Sequence, residues 1–201
     1  VLLGCASVRS REVLRFTGLE SPPKQFSGVL TLPKNKQAPF PIVLLVHGTA
    51  GADSRYAFHK PALLDAGIGT LEVDFKTNLF TGGSDRPPIS SFHPWAFGAL
   101  KALRAHPLID ANRIAIMGFS LGGHLSVSAA SKNVVERWFV LHQPVLNSLS
   151  PRDRKFTRNC STNPPCRLVE EVADRTIRRQ RVRPTVTNSA AVKNVRLIWE
   201  G

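Results

Sequence analysis

The chain has 201 residues, 42% of them hydrophobic, and a formal net charge of +13 at pH 7. This length fits a single domain whose core needs no disulfide bridges, and three cysteines are too few for a disulfide framework or a cysteine-ligated metal site. No apolar run approaches the roughly 18 residues that a membrane-spanning helix requires, which argues against a transmembrane protein.

Residues 1–25 are predicted to form an N-terminal segment that precedes the folded core. They begin with VLLGCAS, which resembles the lipobox at the end of bacterial lipoprotein signal peptides. In that interpretation Cys5 carries a lipid that anchors the protein to a membrane in the bacterial cell envelope or periplasm. Because the charged n-region and most of the apolar h-region are missing, the sequence would start inside the signal segment. The alternative is an ordinary apolar N-terminus on a cytoplasmic protein.

Residues 26–146 alternate between strand and helix patterns. Continuous runs of β-branched residues and leucine, typical of strands buried on both faces, occur at 41–48, 68–75 and 111–120. Weaker strand signals lie at 26–33 and 137–145, and helical spacing of apolar residues is found at 56–67, around 95–103 and from 121 onward. Gly67 is a predicted helix stop. The alternation predicts an α/β fold, a mostly parallel sheet with helices on both faces that is incomplete at the C-terminus.

One serine stands between glycines where the third buried run ends. The sequence GFSLG at 118–122 follows a strand pattern and opens a helix pattern. Glycines on both sides permit a tight turn that lifts Ser120 above the carboxyl edge of the sheet, beside the amides of a helix N-terminus. A nucleophilic serine needs such donors, together with a base. Ser120 is therefore the candidate nucleophile.

A second loop ends the first buried run with HGTAG at 47–51. If both loops lie at the same edge of the sheet, the backbone amides of Thr49 and Leu121 can form an oxyanion hole for a tetrahedral intermediate. The glycine-serine pattern alone is common by chance, and this combination makes it specific. No metal or organic cofactor is implied.

The stretches PIVLLVHGTAG, FTGGS and LRAHPLIDANRIAIMGFSLGG resemble the dienelactone hydrolase family within the α/β-hydrolases. The resemblance covers roughly residues 27–142. It implies an α/β-hydrolase sheet and hydrolysis of a small-molecule ester or lactone through an acyl-enzyme on Ser120. Dienelactone hydrolase itself has a cysteine at this position, whereas many of its relatives have serine, as here.

The acid and base of a catalytic triad are not identified by the sequence. In this fold both follow the serine along the chain. Only His124 and His142 do so, and each lies inside a helix or strand pattern where a structural role is favoured. With no base to orient, no acid is assigned. The chain is thus predicted to be a serine hydrolase, an inactive copy of one, or a binding scaffold with the same fold.

Residues 147–201 form a basic tail without clear periodicity, with 12 Lys and Arg against 5 Asp and Glu. A change of reading frame or a gene truncation near residues 143–150 would explain both this composition and the missing histidine; an authentic divergent region is the alternative. The arginine cluster at 175–183 could contact phosphates, but it lacks interleaved aromatic residues, so a solvated or disordered tail is favoured and no nucleic-acid partner is expected. The sequence does not indicate an oligomeric state.

Overall fold

A computed structural model describes residues 10–34, 36–48, 51, 55–75, 89–132 and 137–140. The elements in chain order are strands β1 (Arg11–Thr17), β2 (Gln25–Thr31) and β3 (Phe40–Val46), helix α1 (Arg55–Asp65), strand β4 (Gly69–Val73), a 3-10 turn (Ile89–Phe92), helix α2 (His93–Ala105), strand β5 (Ile109–Gly118), helix α3 (Leu121–Ser131) and strand β6 (Arg137–Val140). The strands and helices predicted from 26 to 140 are confirmed, whereas β1 was not predicted.

The strands that the structure describes form one sheet in the order β1-β2-β4-β3-β5-β6. Strands β4, β3, β5 and β6 are mutually parallel, while β2 runs antiparallel to both of its neighbours, β1 and β4. The predicted mostly parallel sheet is therefore confirmed. The antiparallel hairpin β1–β2 extends this sheet along one side.

Strand β3 lies at the centre of the sheet and is buried on both faces. Its residues 42–46 have no solvent-exposed surface, as expected for an uninterrupted apolar run between parallel neighbours. On one face Leu44 and Val46 join a core with the apolar residues of α2 and α3. On the other face Val43 and Leu45 pack in a smaller core with Leu63 of α1. The prediction of helices on both faces is thus confirmed.

Helix α1 ends where the sequence predicted. Gly67 has a φ of 85°, a conformation that glycine adopts without steric cost. The amide of Gly67 donates to the carbonyl of Leu64, and the amide of Ile68 donates to that of Leu63. These bonds satisfy carbonyls of the last helical turn and direct the chain into β4.

The carboxyl ends of three parallel strands meet at one edge of the sheet. Val46, the last residue of β3, is in register with Val73 at the end of β4 and with Gly118 at the end of β5. The residues that follow these strands therefore lie side by side. This edge, called the carboxyl edge below, carries the candidate site.

Candidate active site

Ser120 occupies a strained turn between β5 and α3. Its backbone has φ 48° and ψ −110°, and it is the one non-glycine residue with positive φ among those that the structure describes. Such a conformation costs about 1–3 kcal/mol and persists only where the surrounding structure enforces it. The predicted tight strand-to-helix turn is therefore present, and Ser120 is partly exposed at its tip.

The two glycines of the motif are required by close backbone packing. A β-carbon on Gly118 would lie less than 3.0 Å from the backbone of Gly122, and one on Gly122 would lie less than 3.0 Å from the carbonyl of Val46. In both cases the obstacle is main chain, which cannot rotate away. This confirms that the turn depends on the absence of side chains at these positions.

Helix α3 begins directly after the serine and directs its first amides toward it. The carbonyl of Phe119 accepts a 2.7 Å hydrogen bond from Gly122, and the carbonyl of Ser120 accepts one of 3.1 Å from His124. As the first residue of α3, Leu121 has an amide without an acceptor inside the helix. The predicted oxyanion-hole role of the Leu121 amide stays a prediction.

His47 follows β3 and joins the segments that follow β3 and β4 at the carboxyl edge. Its ring is 2% exposed, and its Nε2 accepts a 2.7 Å hydrogen bond from the backbone amide of Phe75. Its Nδ1 lies 2.5 Å from the carbonyl oxygen of Gly48. Because a carbonyl only accepts, Nδ1 carries the proton that is donated there. Sequence reasoning placed His47 in the oxyanion loop but missed this bridge.

A carboxylate also approaches the ring of His47. Asp74 Oδ1 lies 3.3 Å from Nε2, which would form an ion pair if that nitrogen were protonated. The shorter, well-aligned bond from the Phe75 amide requires a lone pair on Nε2 instead. We therefore assign the neutral ring, protonated on Nδ1. With both nitrogens engaged by main-chain groups, His47 is not available as the base for Ser120.

The remaining described histidines lie on helices α1 and α3 and at the two ends of α2. His124 is buried within α3, which agrees with the predicted packing role, and His59 is buried on α1 with its ring centroid 6.3 Å from that of Phe119. His93 begins α2, and His106 follows that helix and bonds Glu12 at 2.9 Å.

Several predicted features lie outside the described residues. These are the oxyanion-hole residue Thr49, the lipidation candidate Cys5, His142, and the basic tail 147–201. Each stays a prediction. In the described ranges there is no group of three or more His, Cys, Asp and Glu side chains suited to a metal ion, and no helix there is long and apolar enough to cross a membrane.

The parallel strands, the helices on both faces and the serine at a strained strand-to-helix turn define an α/β-hydrolase fold. A family model described as "Esterase FrsA-like" matches residues 7–150, well over half of the chain. The chain belongs to this FrsA-like esterase family. The predicted resemblance to dienelactone hydrolases is confirmed at the level of the shared α/β-hydrolase fold.

Solved structures show the same fold. Dienelactone hydrolase from Anabaena variabilis is 20% identical with a TM-score of 0.54, over 66% of this chain and 62% of that one. A dienelactone hydrolase-like promiscuous phosphotriesterase from metagenomic libraries is 18% identical with a TM-score of 0.53, over 71% and 64%.

The α/β-hydrolase GrgF from Penicillium sp. sh18 is 21% identical with a TM-score of 0.53, over 66% of this chain and 45% of that one. The chain thus spans between 45% and 64% of the length of these three structures. In the comparison with curated proteins, none matched.

Proposed function

We propose that this protein is a serine hydrolase that cleaves a small-molecule ester or lactone through an acyl-enzyme. The observation that carries the proposal is the backbone of Ser120, which is held at φ 48° between two glycines that pack on main chain. A protein gains no stability from such strain, so its presence points to a use for this partly exposed serine. Membership of an esterase family supports the substrate class.

In the proposed reaction the oxygen of Ser120 attacks the substrate carbonyl carbon while its proton passes to a base. The carbonyl oxygen becomes an oxyanion, which accepts hydrogen bonds from backbone amides. Leu121 supplies one amide through its place at the start of α3, and Thr49 supplies the second in the turn that the sequence predicts. The alcohol of the ester then leaves with a proton, and water hydrolyses the acyl group from Ser120.

The base is a separate part of the proposal. His47 is excluded because its Nε2 accepts the Phe75 amide and its Nδ1–H donates to Gly48. His124 lies within α3, on the same helix that Ser120 precedes, so its ring does not approach from a separate loop. A base on a later part of the chain fits the chain order of this fold, in which the histidine follows the nucleophile.

A fluorophosphonate probe tests the nucleophile directly because it forms a covalent bond only with an activated serine. We expect the full chain to be labelled, with the adduct on the peptide that contains Ser120, and we expect no adduct in Ser120→Ala. Circular dichroism of both proteins shows that they are folded to the same extent. Labelling that persists in Ser120→Ala would exclude this serine as the nucleophile. A folded wild-type chain that takes no label would favour the non-catalytic binding scaffold.

A further inference from the structure

The bridge made by His47 extends the proposed site beyond its nucleophile. We propose that His47 is a positioning residue, whose neutral ring ties the segment after β3 to the backbone of Phe75 after β4 and so holds the backbone beside Ser120. The functional part of this inference rests on the proposed hydrolase activity. The structural part, that the ring fixes the carboxyl edge, does not.

Both ends of the bridge are main-chain groups in a buried place. The Phe75 amide donates to Nε2 at 2.7 Å, and Nδ1–H donates to the Gly48 carbonyl at 2.5 Å. A ring that is 2% exposed excludes water from both bonds. Removing the ring nitrogens would leave the buried amide of Phe75 unsatisfied, at about 1–3 kcal/mol. The carbonyl of Gly48 would keep only its 3.1 Å bond from the amide of Gly51. The bridge therefore resists opening.

The far end of the bridge is anchored in the core. Phe75 has no exposed surface, and its ring centroid lies 6.1 Å from that of Trp95 on α2 and 5.7 Å from that of His47. The backbone amide that His47 holds thus belongs to a residue that cannot shift without disturbing the aromatic core. His47 is attached to a rigid point rather than to a free loop.

The near end of the bridge is in contact with the serine turn. The Phe119 amide donates to the carbonyl of Val46 at 3.2 Å, directly before His47. Gly122 packs against the same carbonyl so closely that a β-carbon there would also lie 3.1 Å from the carbonyl of His47. A displacement of the backbone at Val46 and His47 would therefore be transmitted to the residues on both sides of Ser120. Misplacement of a reacting group by about 1 Å can cost a hundredfold in rate.

Three substitutions of His47 test the two hydrogen bonds of its ring one at a time and together. His47→Gln offers an amide oxygen near the position of Nε2 and can keep the bond from Phe75. His47→Asn offers an amide NH₂ near the position of Nδ1 and can keep the bond to Gly48. His47→Phe keeps a ring but loses both bonds. His106→Phe is the matched control, because that ring also accepts a backbone amide, from Leu108, but lies at the opposite end of β5.

The first measurement needs no activity. In the wild-type chain, NMR of the His47 ring should show a protonated Nδ1, an unprotonated Nε2, and a scalar coupling across the hydrogen bond to the Phe75 amide. Hydrogen exchange of the Phe119 amide should be faster in His47→Phe than in wild type and unchanged in His106→Phe. A protonated Nε2, or equal Phe119 exchange in wild type and His47→Phe, would overturn the proposal. If His47→Phe does not fold, the wild-type NMR spectrum and the variants His47→Gln and His47→Asn test the proposed bridge.

The second measurement is the rate of fluorophosphonate labelling of Ser120. We expect a loss of about tenfold to a hundredfold in His47→Phe, smaller losses in His47→Gln and His47→Asn, and the wild-type rate in His106→Phe. Wild-type labelling with an unchanged rate in His47→Phe would remove the functional role of His47. A wild-type chain without label would instead contradict the hydrolase proposal, while the NMR and exchange results would still decide the bridge.

Discussion

The carbonyl oxygen of Val46 and the α-carbon of Gly122 are in such close contact that no β-carbon fits between them. Val46 ends β3, and Gly122 lies in the first turn of α3. The contact therefore brings the start of the helix that follows Ser120 onto the end of the central strand. This packing makes the site sensitive to a single methyl group.

Gly122→Ala should destabilise the protein by about 3 kcal/mol or more, because overpacking against immovable main chain forces the helix off the strand. Urea denaturation monitored by circular dichroism measures this loss. Gly69→Ala is the matched control, since its β-carbon would lie 3.0 Å from the end of the Ile42 side chain and 3.4 Å, an ordinary contact distance, from the carbonyl oxygen of Thr31. Equal losses in the two variants would show that backbone packing at Gly122 is not the cause.

Ser120→Gly should raise the free energy of unfolding by about 1 kcal/mol, because glycine tolerates φ 48° and ψ −110° while serine is strained there. Part of the relief is offset by the greater freedom of glycine in the unfolded chain. Ser120→Ala serves as the control because it removes the hydroxyl and keeps the strain. Thermal unfolding of both variants checks this; a glycine variant no more stable than the alanine variant would mean that the turn is not strained.

The ion pair between Lys60 and Glu72 should couple α1 to β4. Lys60 Nζ lies 2.6 Å from Glu72 Oε2, and the two side chains are 20% and 26% exposed. Partial burial places the expected interaction energy at about 0.5–1 kcal/mol, the upper part of the range for such pairs. A double-mutant cycle with Lys60→Met and Glu72→Gln measures it through denaturant unfolding. Strictly additive losses would show that the pair contributes nothing.

Stability should depend on the ionisation of Asp110 in acid. The side-chain hydrogen bond from Arg113, and then the backbone amide of Asn112, hold the pKa of Asp110 below its ordinary value. The unfolded state therefore binds the proton first as the pH falls, so the stabilisation is complete above the ordinary pKa of an aspartate and is lost as the pH drops through the folded value. Unfolding measured from neutral pH into acid should show this loss in the wild-type chain.

Asp110→Asn should remove that part of the acid sensitivity, because the amide does not titrate. The variant should be less stable than wild type at neutral pH, and the difference between their free energies of unfolding should decrease as the pH falls. Asp65→Asn, at the exposed end of α1, provides a comparison with the same chemical change at another position. A stability difference for Asp110→Asn that stays constant across the acid range would contradict the assignment.

The sequence patterns that predicted the structure best were those of segments whose residues are almost completely buried. Residues 41–48 predicted a strand buried on both faces, and β3 is that strand. An unbroken run of β-branched residues and leucine is typical of a strand that is covered on both faces. Strand β1 escaped prediction because only Phe16 among its residues is buried, and Val13 is 64% exposed. An edge strand of this kind leaves almost no apolar alternation to detect.

The sequence by itself determined the α/β architecture, the stop of α1 at Gly67, and the turn that presents Ser120, since each depends on local spacing, burial or the conformational freedom of glycine. Only the tertiary structure decided that His47 bonds the amide of Phe75, 28 residues away. Sequence patterns report which residues are buried. They do not report which strand lies beside which, and it is the pairing of β3 with β4 that brings the histidine after β3 to the backbone of Phe75.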